Sequence, residues 1–408
     1  MTDIPSGTIP AARHAGQVSI AGFLSLAAMS GVTIGMAKIV TQLFAIDIGA
    51  DAFQIGVISA MESVGMMLLT VPAGFIIARH GAKTVYAIAS LGPLLLNLII
   101  PFLSLWWAVA IVRLLIGICI PFRTVSMNSA FLSQLKRIGD GKAGWYRGSL
   151  TLGMAVLGPA LATFLSARVS YLWCFAVIAF LFGVMALFSL SFFPEREEQA
   201  AVPARGGFLG QVGALLRNPD VAESCAIEFA SGATGSLFAT FILLAAMALP
   251  GLTAADGVTV LLVDGAVTMA CLFLGANLIR RLGRRPAYAA GLVLAIVSLA
   301  IAGMAGGLTG LILGGVLLSV ASALVHLVNM IVLSRIPGEK SKASGVYQLS
   351  QMIGATTGAL LGGVMSTAMP VQHVFLAWIP LLLLAAPPIW LLGRQPRALP
   401  SPSTGVPS

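Results

Sequence analysis

The sequence predicts an all-α polytopic membrane protein with twelve transmembrane helices in two pseudo-symmetric six-helix bundles. Three observations predict it. Of 408 residues, 58% are hydrophobic and 9% charged, whereas a soluble globular chain carries roughly a quarter charged residues. Such a composition cannot cover a water-facing surface, which argues against a soluble enzyme, a nucleic-acid binder and a disordered chain. The net charge of +9 sits in short basic clusters between long apolar runs rather than in a stripe, so no nucleic-acid partner is expected. Finally, the second half of the chain repeats features of the first.

A spanning helix needs about 20 apolar residues at about 1.5 Å each. Pro286 to Ser334 contains no Asp, Glu, Lys or Arg. As one helix it would run about 74 Å, enough for two crossings. Gly306-Gly307-Leu308-Thr309-Gly310 supplies the turn. Ala343 to Gly393 is likewise uncharged, with a break near Met369-Pro370. In chain order the predicted spans lie near 18–45, 54–78, 84–104, 107–132, 145–166, 170–193, 221–248, 257–279, 287–305, 310–334, 344–367 and 371–393. The first apolar run is too long for a cleavable signal and is read as a retained span.

These spans divide the chain into a cytoplasmic N-terminus (1–17), a first bundle (18–193), a polar cytoplasmic linker (194–220), a second bundle (221–393) and a Pro/Ser-rich tail (394–408). The tail is expected to be disordered. With both termini cytoplasmic, almost all Lys and Arg fall inside. Arg168 falls outside, and Lys38, Arg113 and Arg123 fall within spans. That asymmetry sets the expected orientation, and the expected location is the cell's inner (plasma) membrane. Trp106, Trp107, Trp145, Trp173 and Trp390 lie near span ends, where indoles favour the interface. Cys119, Cys174, Cys225 and Cys271 sit in apolar stretches without metal-ligand spacing. They read as core residues, with no metal, disulfide or cofactor expected.

The repeat is visible in residues. Arg79-His80-Gly81-Ala82-Lys83 matches Arg281-Leu282-Gly283-Arg284-Arg285, and Tyr86 matches Tyr288. Asn128 matches Asn329, Tyr146 matches Tyr347, and Gly153 matches Gly354. Two equivalent halves place a substrate site at their interface near the bilayer midplane. The loop Gly74-Phe75-Ile76-Ile77-Ala78-Arg79-His80-Gly81-Ala82-Lys83 resembles the G-x-x-x-D-R-x-G-R-[RK] motif of the major facilitator superfamily, with Ala78 and Ala82 departing from it. Arg113-Leu114-Leu115-Ile116-Gly117 is similar to that family's R-x-x-Q-G motif, with Ile for Gln. Gly158-Pro159 stands in the fifth helix without the full antiporter glycine pattern. The resemblance implies alternating access by rocking of two halves, with predicted helices 1, 4, 7 and 10 lining the cavity. In the loop motifs, Gly74, Arg79, Gly81, Lys83, Arg281, Gly283 and Arg285 are candidate cytoplasmic-face residues. Their cations suit helix C-termini, anionic headgroups and topology signalling, and Gly81 suits a tight reversal.

Ionisable residues inside spans each cost about 2.5–3.5 kcal/mol at a helix centre, which demands pairing or hydration. Their depths form two layers within about 10 Å of the midplane. Lys38, Glu62, Arg113 and Asp264 lie to the external side. Glu62 can pair with Lys38 or Arg113, as a structural ion pair or a coupling pair. Asp264 occupies the repeat position of Glu62, has no Lys or Arg at its depth in its own half, and is read as a proton carrier. Glu62, Arg113 and Asp264 are thus the proton-coupling candidates. Arg123, Glu228 and His326 lie to the cytoplasmic side, where an Arg123–Glu228 pair is expected to close the two halves. Asn128, His326 and Asn329 add hydrogen-bonding groups. Lys38, Arg123, Asn128, Glu228, His326 and Asn329 are the substrate-binding candidates, Arg123 because guanidinium matches a carboxylate or phosphate. Arg123 snorkelling and a satisfied interior His326 are the structural alternatives.

Gly354-x-x-x-Gly358-x-x-x-Gly362 offers a small-residue face for helix packing, and the 16 methionines suit an adaptable interior. No nucleotide-binding G-x-x-x-x-G-K-[ST] occurs. The expectation is therefore a monomeric, proton-coupled secondary transporter of a small organic solute in contact with lipid and protons. Efflux by antiport of an amphipathic or anionic compound leads, with uptake of an organic anion as alternative. A non-transporting sensor or an intramembrane enzyme are the remaining classes.

Overall fold

A computed structural model describes residues 20–138, 143–192, 213, 215–274, 283–334 and 340–384. The predicted N-terminus, most of the linker, Arg281 and the tail lie outside the described residues.

The described residues form twelve helical rods. In the first half they are α1 (Ile20–Asp47), α2 (Ala52–His80), α3 (Ala82–Ile99), α4 (Trp106–Ile138), α5 (143–166) and α6 (Tyr171–Phe192). In the second half they are α7 (Pro219–Met247), α8 (Ala254–Leu274), α9 (Arg284–Gly303), α10 (Leu308–Ser334), α11 (Lys340–Ala368) and α12 (Val371–Leu384). Ten of them are long and apolar enough to cross a membrane. α11 is long but carries Lys340, Lys342, Gln348 and Gln351. It packs against both α7 and α2, so much of it is shielded from lipid and need not be apolar. The described part of α12 is a shorter apolar helix.

Helix boundaries follow local chemistry. Asp51 caps α2, accepting from the Gln54 amide at 2.8 Å, while the Gln54 side chain accepts from the Asp51 amide at 3.1 Å. Asn218 caps α7, whose first residue is Pro219. α5 was not expected to be irregular, but it contains a π-helical turn at Gly153–Leu157 just before Gly158-Pro159. Pro159 has no amide hydrogen for a regular ladder, so the turn widens around it.

The repeat reappears in the backbone. Among the described residues four glycines have positive φ: Gly49 (79°), Gly81 (85°), Gly251 (76°) and Gly283 (80°). Gly49 pairs with Gly251 by the same spacing that pairs Gly81 with Gly283. Corresponding turns of the two halves therefore share a positive φ, a region that costs other L-residues about 1–3 kcal/mol.

Glycines also set the close helix pairs. A Cβ on Gly354 or Gly358 would collide with the Phe229 or Ala233 carbonyl, so this face of α11 rests directly on the α7 backbone. In the first half, Gly153 and Gly158 of α5 lie on the backbone of α1 in the same way.

The halves meet at one end. Gly56 of α2 faces Ala359 and Gly363 of α11, and Gly265 of α8 faces Ala155 in the π turn of α5. Gln42 Nε2 donates to the Ala239 carbonyl across the interface at 3.4 Å. One continuous core, including Phe44, Ile55, Phe238 and Phe241, runs through both halves there. At the opposite end the cores are separate. One holds Ala73, Ile77 and Val85, and two others lie wholly in the second half around Tyr347 and Tyr288. Among the described residues, packing between the halves is thus concentrated at the end bearing Gly49 and Gly251, here called the sealed end, while at the end bearing Gly81 and Gly283, here called the open end, the described cores are separate.

Candidate functional site

Three polar clusters occupy the interior. The first lies toward the sealed end. Gly117 lets α4 approach the backbone of α2 at Glu62, and Glu62 forms an ion pair with Arg113. Arg113 is only 4% exposed, and its Nη1 has no hydrogen-bond partner. Lys38 of α1 is exposed, and the charges acting on it are Asp264 of the other half and Arg113. Lys38 and Asp264 are close enough to attract each other across the interface, although no ion pair between them is formed among the described residues. Asp264 is not the bare carboxyl that the sequence suggested, because Ser319 Oγ of α10 lies 2.5 Å from its Oδ1.

The second cluster belongs wholly to the second half. Glu228 of α7 is 2% exposed. Its Oε2 accepts from Tyr347 Oη of α11 at 2.5 Å and from Asn329 Nδ2 of α10 at 3.0 Å. Tyr288 Oη of α9 donates to Asn329 Oδ1 at 2.6 Å. His326 Nδ1 lies 3.0 Å from Tyr347 Oη and 3.8 Å from Glu228 Oε1.

The third cluster belongs wholly to the first half. Arg123, 2% exposed, donates to Ser90 Oγ at 3.0 Å and to Tyr86 Oη at 3.2 Å. A third donor points at Met185 Sδ, 3.4 Å away. The guanidinium carbon stands 4.4 Å from the Phe182 ring centre and 5.2 Å from that of Tyr86, a cation–π arrangement.

In this structure Arg123 and Glu228 do not pair across the cleft; each is bonded within its own bundle. Nor does Arg123 snorkel or present itself to a solute: α3 and α6 enclose it. The reason is packing. Arg123 shares α4 with cleft-facing positions but lies on the face that meets α3 and α6, and sequence depth does not report rotation about the helix axis. Asn128 lies farther along α4 and is exposed. His326 and Asn329 do join Glu228.

At the open end, Gly74 lies within α2, Arg79 and Arg285 are exposed, and Lys83 is partly exposed. Arg284, outside the candidate set, bridges Asp220 at 2.7 Å and Glu223 at 2.5 Å, tying the start of α9 to α7. Tyr86, Ser90, Tyr288, Ser319 and Tyr347 were also missed. The repeat was a usable signal for three of them: Tyr86 and Tyr288 are matched positions that anchor a buried polar group in each half, and Tyr347 belongs to another matched pair.

The described residues contain no group of three or more His, Cys, Asp or Glu side chains able to hold a metal. No curated protein matches the chain. Two structures of the nucleoside transporter NupG superpose with TM-scores of 0.77 and 0.76, each at 15% identity, covering 92% of this chain and 99% of that one. A bacterial homologue of the human lysosomal transporter Spinster, in an inward-facing and unoccupied conformation, superposes with a TM-score of 0.73 at 14% identity, covering 92% of this chain and 96% of its own. At these identities the likeness shows the fold. The sequence profile of the Major Facilitator Superfamily matches residues 18–275 and 225–407, nearly the whole chain. This chain belongs to the Major Facilitator Superfamily.

Proposed function

We propose that the chain is a proton-coupled secondary transporter that exports a small amphipathic or anionic organic solute by alternating access. The observation that carries this reading is the attraction between Lys38 and Asp264 across the interface. An electrostatic attraction shared by two bodies is one that a proton or a solute can weaken. Protonating Asp264 removes one partner, and a solute anion at Lys38 competes for the other. Either event weakens the sealed end. With the Lys/Arg-rich end cytoplasmic, the sealed end is external, so the cleft takes up solute from the cytoplasm. The protein then acts as a monomer in the cytoplasmic membrane, with both termini inside. Uptake of an organic anion is the second reading, favoured by the exposed ammonium of Lys38 itself.

The test is solute flux in proteoliposomes under an imposed pH gradient, with a panel of amphipathic compounds and organic anions. Asp264→Asn is expected to keep solute exchange and lose gradient-driven accumulation. Gradient-driven transport at the wild-type rate in Asp264→Asn sinks the proposed role of Asp264. Accumulation in the opposite sense assigns uptake.

A further inference from the structure

The Glu228 cluster has no place in the coupling just described, yet its geometry is directional. The Tyr347 hydroxyl hydrogen is directed at Glu228 Oε2, 2.5 Å away. A hydroxyl has one hydrogen, so the contact with His326 Nδ1 at 3.0 Å makes the tyrosine oxygen the acceptor and Nδ1 the donor. Asn329 also donates to Glu228, and Tyr288 to Asn329. Every donor in the chain therefore points toward one carboxylate. That carboxylate is almost fully buried, whereas the His326 side chain is 29% exposed.

No Lys or Arg among the described residues forms an ion pair with Glu228. The groups facing it are Asn329 and His326 from α10, Tyr347 from α11, Tyr288 through Asn329 from α9, and Cys225 on its own helix. Arg284, at the start of α9, is bound by Asp220 and Glu223 instead. The arrangement surrounds a buried carboxyl with hydrogen-bond donors and leaves one partly exposed imidazole beside it.

We propose that Glu228 is a second proton-binding site, loaded from the cleft through His326 and Tyr347. A proton arriving at His326 Nε2 releases the one on Nδ1 to Tyr347 Oη. The tyrosine passes its own proton to Glu228 Oε2. The imidazole ends neutral in the other tautomer, the phenol is restored, and the net change is one carboxylate converted to a carboxylic acid. The protonated Glu228 then donates to Tyr347 rather than accepting from it, reversing the chain's polarity. Tyr347 rides on α11, the helix that also seals the cleft against α2 at Gly56, so proton loading acts on an element shared by both halves. This deepens the proposed proton coupling and rests on it for its physiological meaning.

The test needs no transported solute. Protonation is followed in the full-length detergent-solubilised protein by the infrared carboxylic-acid C=O band during a pH titration, and by dye-detected proton uptake after a pH jump. Glu228→Gln, which keeps the carbonyl acceptor for Tyr347 and Asn329, is expected to delete one C=O component. Tyr347→Phe is expected to shift that component, and His326→Gln to slow its appearance by about tenfold or more. His326→Gln leaves Glu228 in place, so it tests the relay even if Glu228→Gln fails to fold. A full band complement in folded Glu228→Gln, or unchanged uptake rates in both Tyr347→Phe and His326→Gln, overturns the proposal. A working relay in a protein that moves no solute along a pH gradient would instead overturn the transport reading and leave this site standing.

Discussion

The Glu62–Arg113 pair offers a sharp energetic test because only one partner is deeply buried. Arg113 is 4% exposed and Glu62 17%, and one guanidinium nitrogen of Arg113 is already without a partner. Glu62→Gln leaves a permanent cation that cannot shed its charge, because arginine does not deprotonate in proteins. Breaking a buried pair from one side costs about 3–5 kcal/mol, and this substitution is expected in that range. Arg113→Leu leaves a carboxylate that can take up a proton, so its cost is expected to be smaller. The double variant Glu62→Gln/Arg113→Leu removes both desolvated charges and is expected within about 1 kcal/mol of wild type or above it. Unfolding free energies from sodium dodecyl sulfate titration in mixed micelles measure all three. If the double loss equals the sum of the single losses, the two groups are uncoupled and the argument fails.

Gly81→Ala and Gly283→Ala should each lower the unfolding free energy by about 1–3 kcal/mol, since a new Cβ meets nothing within 4 Å at either position and only the backbone objects. A marked inequality between them would contradict the structural equivalence of the two turns. Gly358→Leu should cost at least about 1–3 kcal/mol by driving α11 off α7, while Gly235→Ala, with open space at its Cβ, should raise helix stability; thermal unfolding of the pair separates crowding from backbone entropy. Arg123→Lys should lower stability by about 1–3 kcal/mol through lost bonds to Ser90 and Tyr86. Because Arg123 lies outside the cleft, the same variant should leave ligand-induced thermal shifts unchanged, and loss of those shifts would return Arg123 to the binding site.

Much of the architecture was legible before any coordinates. Uncharged stretches such as Pro286–Ser334 cannot be placed in one bilayer crossing, and the matched loops around Gly81 and Gly283 announce a duplicated unit. The depth of each buried charge was also legible, because rise along a helix is fixed by its geometry. That is how Lys38, Glu62, Arg113 and Asp264 came to share one layer, and Glu228 another with His326.

Composition and spacing along the chain thus set the helix pattern, its repetition and the expected depth of each polar group. Which neighbour each group faces is a property of the packed bundles. Arg123 and Glu228 carry opposite charges at similar expected depths, yet each turns into its own bundle, toward Ser90 and Tyr86 in one case and Tyr347 and Asn329 in the other. Rotation about a helix axis is set by packing against two or three other helices, and composition at a given depth carries no record of it.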